Sequence, residues 1–169
     1  MPGTLRESDL DVIRRTVIFG GLSDEALAEL LGEAAVHCLA RGEILFFQSD
    51  PANAFFVMLD GWMKIYRLTP SGDEAVVGVF TAGQNFAEAA ALSGGQYPAS
   101  AEAVTDCRVI QVPSENLTDK IRTSPEIALS ILASTSRQLH RLVPEIEQLK
   151  AHTGAQRLAE FPASRSPSA

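Results

Sequence analysis

Between Gln84 and Val104 the chain carries only two charged side chains, Glu88 and Glu102, and both are acids. Glu88 stands in "GQNFAEAAALSGGQYPASAEAV", residues 83–104, where a glycine turn, one turn of helix formers, a Gly-Gly break and a strand of small residues follow in order. A buried anion needs an opposing charge, and a guanidinium supplies paired, charge-assisted donors that a neutral side chain does not replace. This stretch has no basic residue, so it predicts a neutral or apolar ligand, or a purely structural role.

The other residues able to do chemistry are sparse. His37, His140 and His152 are the only histidines, and residues 38–139 contain none. Metal-dependent oxygenase chemistry on a β-roll needs His and carboxylate ligands clustered on neighbouring strands, and no His-x-His occurs. No Ser/His/Asp or Cys/His set can be assembled, so an enzyme is not expected. Cys38 and Cys107 stand far apart without a CxxC, which argues against an Fe-S cluster, a structural zinc and a disulfide framework.

A net charge of −7 opposes attraction to phosphate backbones and makes DNA binding by these residues alone unexpected. The N-terminal "MPGTLRESDLDVIRR" has no apolar signal core, and no apolar run approaches the ~18 residues of a membrane span. The expectation is a cytoplasmic protein with reduced thiols, without membrane contact.

The elements that must position Glu88 follow from changes of period. Residues 1–35 read as helical from about residue 5, with Ser23, Asp24 and Glu25 marking a helix start before Leu27, Leu30 and Leu31. From residue 36 to 123 the period shifts. "EILFF", "AFFVML", "GWMKIYRL", "AVVGVF", "ASAEAVT" and "CRVIQV" are short runs separated by turn residues, which predicts a sandwich or jelly roll. In "GWMKIYRL", Trp62, Lys64 and Tyr66 share one face and Met63, Ile65 and Arg67 the other. Phe46, Phe47, Phe55, Phe56, Trp62, Phe80 and Phe86 fall at strand spacing and suit either the core or an apolar pocket, Phe86 because it adjoins Glu88.

"SENLTDKIRT" predicts a short helix with Ser114 as its cap, and Ser124-Pro125-Glu126 opens a long one over residues 124–152. There Ala128, Leu132, Thr135, Leu139, Leu142, Ile146 and Leu149 recur in steps of four and three, a heptad seam that predicts a homodimer through residues 125–152. Pro144 within it predicts a kink or a register shift. Residues 153–169 end in the Pro/Ser/Ala-rich "PASRSPSA", without apolar periodicity, and predict a disordered tail.

The run "ARGEILFFQSDPANAFFVMLDGWMKIYRLTPSGDEAVVGVFTAGQNFAEAAAL", followed by "ASAEAVTDCRVIQV" and "SILASTSRQLHRLVPEIEQL", resembles the cyclic-nucleotide-binding-type domain of Crp/Fnr-superfamily transcriptional regulators. Gly42, Gly61, Gly72 and Gly83 sit where that fold places tight turns. The resemblance covers about residues 15–160 and implies a mainly β fold with flanking α, a β-roll or jelly roll carrying a long C-terminal dimerisation helix. It also implies an effector cassette formed by Phe86, Ala87, Glu88, Ala89, Tyr97 and Ser100.

In members that bind cyclic AMP, a Gly-Glu pair opens the short helix and an Arg precedes the small-residue strand, the Glu taking the ribose hydroxyl and the Arg the cyclic phosphate. Here Glu88 stands at the acid's position, Ala87 at the glycine's and Tyr97 at the arginine's. That departure places cyclic AMP and cyclic GMP behind a nonanionic effector. The runs "KIYRLTPSGDE", "NFAEAAAL", "YPASAEAV" and "RLVPEIEQL" resemble the nitric-oxide-responsive regulators of dissimilatory nitrate respiration, which implies haem as a cofactor, with His140 the candidate iron ligand. "TGAQRLAEF" resembles the hinge into the family's winged helix-turn-helix, whose recognition helix has no counterpart in "PASRSPSA". DNA contact is therefore expected only through a domain absent from this chain. Three readings stay open: an effector-sensing domain, a cyclic-nucleotide-binding module, and a dimerisation fragment with no ligand.

Overall fold

The computed structural model describes residues 2–133 and, beyond them, residues 136, 140, 144, 147, 148, 150 and 151. The chain divides into two units, residues 1–134 and 135–169. In chain order the first holds β1 (Pro2–Gly3), α1 (Glu7–Arg14), α2 (Asp24–Leu31), β2 (Ala35–Leu39), β3 (Ile44–Phe46), β4 (Ala54–Asp60), β5 (Trp62–Leu68), β6 (Glu74–Thr81), β7 (Asn85–Phe86), α3 (Glu88–Ser93), β8 (Ser100–Ala103), β9 (Cys107–Pro113) and α4 (Ser114–Thr123). A further helical segment covers residues 125–133. The described residues of the second unit are helical and exposed.

The strands form two antiparallel sheets, ordered β1-β2-β9-β4-β7 and β3-β8-β5-β6. This is the expected β-roll with flanking helices. β4 shows why its sequence "AFFVMLD" lacks alternation: both its faces are covered. Phe55, Val57 and Leu59 join the core under the helices, with Ile13, Phe19, Leu30, Ile110 and Val112. Ala54, Phe56 and Met58 point the other way, into the roll, toward Met63, Phe86, Tyr97 and Ala101.

The helical stretch expected from about residue 5 to 35 is split between α1 and α2. Buried Thr16 donates from its hydroxyl to Ile13 O (2.7 Å) and accepts from Phe19 N (3.2 Å), competing with helical bonding just after α1. Ser23 caps α2 as expected, accepting from Ala26 N at 3.3 Å. Ser114 does not cap α4: Pro113 holds the cap position, and the Ser114 hydroxyl donates to Asn53 O instead. Gly61 turns β4 into β5 at φ +81°, where a Cβ would sit 2.4 Å from Asp106 O, so no larger residue fits.

α1 is tied to β9 through charge. Asp9 accepts from Arg108 Nη1 and Nη2 at 2.9 and 2.8 Å, and both side chains are largely buried. The Arg108 guanidinium holds the Asp9 carboxyl below its ordinary range against the opposing effect of burial. Of the expected dimer seam, Leu132 is exposed, as is Leu129 beside it, while Ile127 packs into the core under the helices. Leu139, Leu142, Ile146 and Leu149 lie outside the described residues, as does the chain on both sides of helical Pro144.

A candidate effector cavity

A cavity of about 280 Å³ opens inside the roll, near the lower end of small-molecule pockets. One wall is the cassette, Asn85 to Ala90; the second is the sheet β5-β6, through Ile65, Val77, Gly78 and Phe80; Phe46 and the turn Tyr97–Pro98–Ala99 close the third. A bulge shapes the sheet wall. Ile65 pairs with Gly78 and Tyr66 with Val76, leaving Val77 as the extra residue, and it lines the cavity. Gly78 matters because a side chain there would enter the space beside the Phe80 ring, its Cβ 3.1 Å from Phe80 Cε2.

The aromatic wall is continuous. Tyr97 stacks on Phe46 with centroids 3.9 Å apart, Phe46 on Phe56 at 5.3 Å, Phe56 on Phe86 at 5.4 Å, and Phe86 meets Phe80 at 5.3 Å. Phe55 belongs instead to the core under the helices, where it stacks with Phe19, and Phe47 and Trp62 are exposed.

Of the expected cassette, Phe86, Ala87, Glu88, Ala89 and Tyr97 come together on this cavity. Ser100 does not line it: it is buried and accepts from Gln48 N at 2.8 Å, fixing the loop after β3. Ala87 adopts φ +65°, ψ +7°, the left-handed conformation that favours glycine, so the backbone turn survives the substitution at some cost in strain. Tyr97 is 4% exposed, and its hydroxyl donates to Ala54 O at 2.7 Å, on the wall rather than into the space. Burial pushes its phenol above the ordinary value.

No Arg, Lys or His is among the lining residues, and Glu88 is the only charged one. Glu88 has no hydrogen-bond or ion-pair partner among the described residues. One exposed cation outside the lining is bonded to a wall residue, and sequence reasoning about the cassette missed it. Arg67 Nε donates to Pro98 O at 2.7 Å, and Pro98 is part of the wall. The signal was present in the alternation that groups Arg67 with Met63 and Ile65.

The lining does not suit haem. Iron needs an axial His, Cys, Met or Tyr; only Tyr97 of these lines the cavity, and its hydroxyl is held by Ala54. His140 belongs to the second unit, is exposed, and has its Nδ1 3.1 Å from Ser136 O. His37 pairs through Nε2 with Gln111 Oε1 at 2.7 Å, and His152 lies outside the described residues. Among the described residues no group of three or more His, Cys, Asp or Glu could hold a metal ion, and no helix is long and apolar enough to cross a membrane.

The cyclic nucleotide-binding domain family matches residues 36–124, the span from β2 to the end of α4. The chain is similar to a "CRP-like cAMP-activated global transcriptional regulator" of Mycobacterium tuberculosis, at 26% identity over 131 residues, covering 78% of this chain and 58% of the relative. Among solved structures it is similar to a candidate cyclic nucleotide binding protein from Ruegeria pomeroyi, with 47% identity, TM-score 0.77 and coverage of 94% of this chain and 70% of that one. It is also similar to DNR from Pseudomonas aeruginosa, with 28% identity, TM-score 0.80 and coverage of 98% and 75%. The chain spans about half to two thirds of the length of the curated relatives it matches. With the roll, its glycine turns and the cassette on one cavity, these likenesses show that the chain belongs to the cyclic nucleotide-binding domain family, in the branch of the Crp/Fnr-type transcriptional regulators.

Proposed function

We propose that these residues form the effector-sensing domain of a Crp/Fnr-type regulator, and that the cavity takes an effector with an apolar body. One observation carries this reading: where a nucleotide-binding cassette presents an arginine to phosphate, this chain has Tyr97, stacked on Phe46 and bonded to Ala54 O. An apolar body against that aromatic wall is stabilised by burial, whereas a phosphate beside Tyr97 would meet no cation among the lining residues and would share the cavity with Glu88.

The regulatory consequence follows by linkage. An effector that binds one packing of the roll better than another shifts the balance between them by that difference in affinity. The proposed output is a homodimer through residues 125–152, with Leu132, Leu139, Leu142, Ile146 and Leu149 on its seam, coupled to DNA through a winged helix-turn-helix outside these residues. The exposed Leu129 and Leu132 support such an interface. Cyclic AMP or cyclic GMP is the second reading, favoured by the family and by Glu88 on the cavity wall.

Calorimetric titration separates the two. Neither cyclic nucleotide should give a saturable heat, while the neutral dye Nile red should bind with enhanced fluorescence and lose that binding in Gly78→Val, which fills the cavity. Saturable cyclic AMP binding that Glu88→Ala abolishes would replace this reading with the nucleotide one. Stepwise addition of haem under anaerobic conditions tests the cofactor: a Soret band saturating at one haem per subunit, lost in His140→Ala, would make it a haem sensor.

A further inference from the structure

We infer that Arg67 is the anion-anchoring residue of this cavity, and that the effector carries a carboxylate on its apolar body. The inference rests on the cavity being the effector site and adds the class of ligand. Strand register places the side chain. β5 pairs with β8 as Met63↔Ala103, Lys64↔Glu102, Ile65↔Ala101 and Tyr66↔Ser100, without a shift. Met63, Ile65 and Arg67 therefore share one face. Met63 is fully buried in the roll and Ile65 lines the cavity, so Arg67 is the next residue outward on the cavity side.

The two cations of β5 differ in what they have left to give. Lys64, on the opposite face, is held by Glu74 at 2.7 Å and Glu102 at 3.3 Å and lies 4.8 Å from the centre of the Tyr66 ring. Arg67 uses only Nε, on Pro98 O, and that bond holds the exposed guanidinium against the cavity wall. Its Nη1 and Nη2 have no partner among the described residues. This edge presents two parallel donors at the separation of two carboxylate oxygens.

The rest of the lining narrows the ligand. Beyond the mouth the wall is aromatic and aliphatic, and Asn85 and Glu88 are its polar side chains not already committed. An apolar body fills such a space without stranding donors or acceptors, whereas a purine and ribose would bury several. Glu88 on the same cavity repels negative charge, so a head carrying one charge, at the Arg67 end, suits it better than a doubly charged phosphate monoester.

Titration calorimetry on the whole chain tests this with decanoate, decanol and cyclic AMP. Decanoate should bind more tightly than decanol, and Arg67→Gln, whose amide can still donate to Pro98 O, should weaken decanoate about tenfold while leaving decanol unchanged. Arg67→Lys should recover part of the loss, and the decanoate advantage should shrink as salt is raised. Equal binding of decanoate by wild type and Arg67→Gln, or decanol binding as tightly as decanoate, overturns the role of Arg67 and leaves the apolar cavity standing. Failure of both ligands to bind the wild type overturns the carboxylate class, and if Nile red also fails to bind, the cavity reading falls with it. Cyclic AMP binding that depends on Arg67 would overturn the carboxylate assignment in favour of a phosphodiester.

Discussion

The two faces of β4 are built from neighbouring residues and do different work. Phe55, Val57 and Leu59 meet α1, α2 and α4 in a closed core, reinforced by the Asp9–Arg108 pair that ties α1 to β9. Phe56 and Met58, one residue along, face a roll interior that holds a cavity of about 280 Å³. An open space of this size, lined by aromatic and aliphatic side chains, is the form that small-molecule sites take. The helical side holds the sheet, and the roll side is free to hold a ligand.

The closed side is the more sensitive to truncation. Phe55→Ala should cost about 3–5 kcal/mol, because its 0%-exposed ring leaves a void that the helices cannot collapse into; urea denaturation measures it. A loss under about 1 kcal/mol would show that this core is not the one holding the sheet.

Asp9→Ala should cost about 2–3 kcal/mol, less than a fully buried pair, because Arg108 keeps 13% exposure. The same pair sets a pH dependence. The folded carboxyl is held below its unfolded value, so its contribution is present above about pH 4 and is lost as the pH falls through the lowered folded value. Melting followed from pH 7 to pH 2 should therefore fall less steeply for Asp9→Ala than for wild type below pH 4. Equal slopes would remove the pair from the account of the closed side.

On the roll side the expected effects are smaller in stability. Ala87→Gly removes about 1–2 kcal/mol of left-handed strain and costs about 0.5–1 kcal/mol of chain entropy, leaving a net gain of up to about 1.5 kcal/mol by urea denaturation. A clear destabilisation would mean that the Ala87 methyl packs against the cavity wall strongly enough to outweigh its strain.

Much of the fold was legible because its signals are local. Gly61 and Gly83 mark turns by needing positive φ, Ser23 marks the start of α2, and "AFFVML" marks the strand β4. The cassette was legible as a motif for the same reason. Ser114 was misread as a cap because the partner that takes its hydroxyl, Asn53, lies 61 residues away. Thr16 hid the break between α1 and α2 because its competition with the helix depends on a buried hydroxyl.

That residues 84–104 hold no cation and that β5 alternates Met63, Ile65 and Arg67 on one face can be read from the order of residues along the chain. Which way that face turns depends on contacts between distant segments. Strand pairing sets it, by laying β5 against β8 and bulging β6 at Val77, and so brings Phe46, Phe80, Tyr97 and Arg67 around one space. A cavity is a relation between segments distant in sequence, and each supplies one wall that has no meaning until the others close around it.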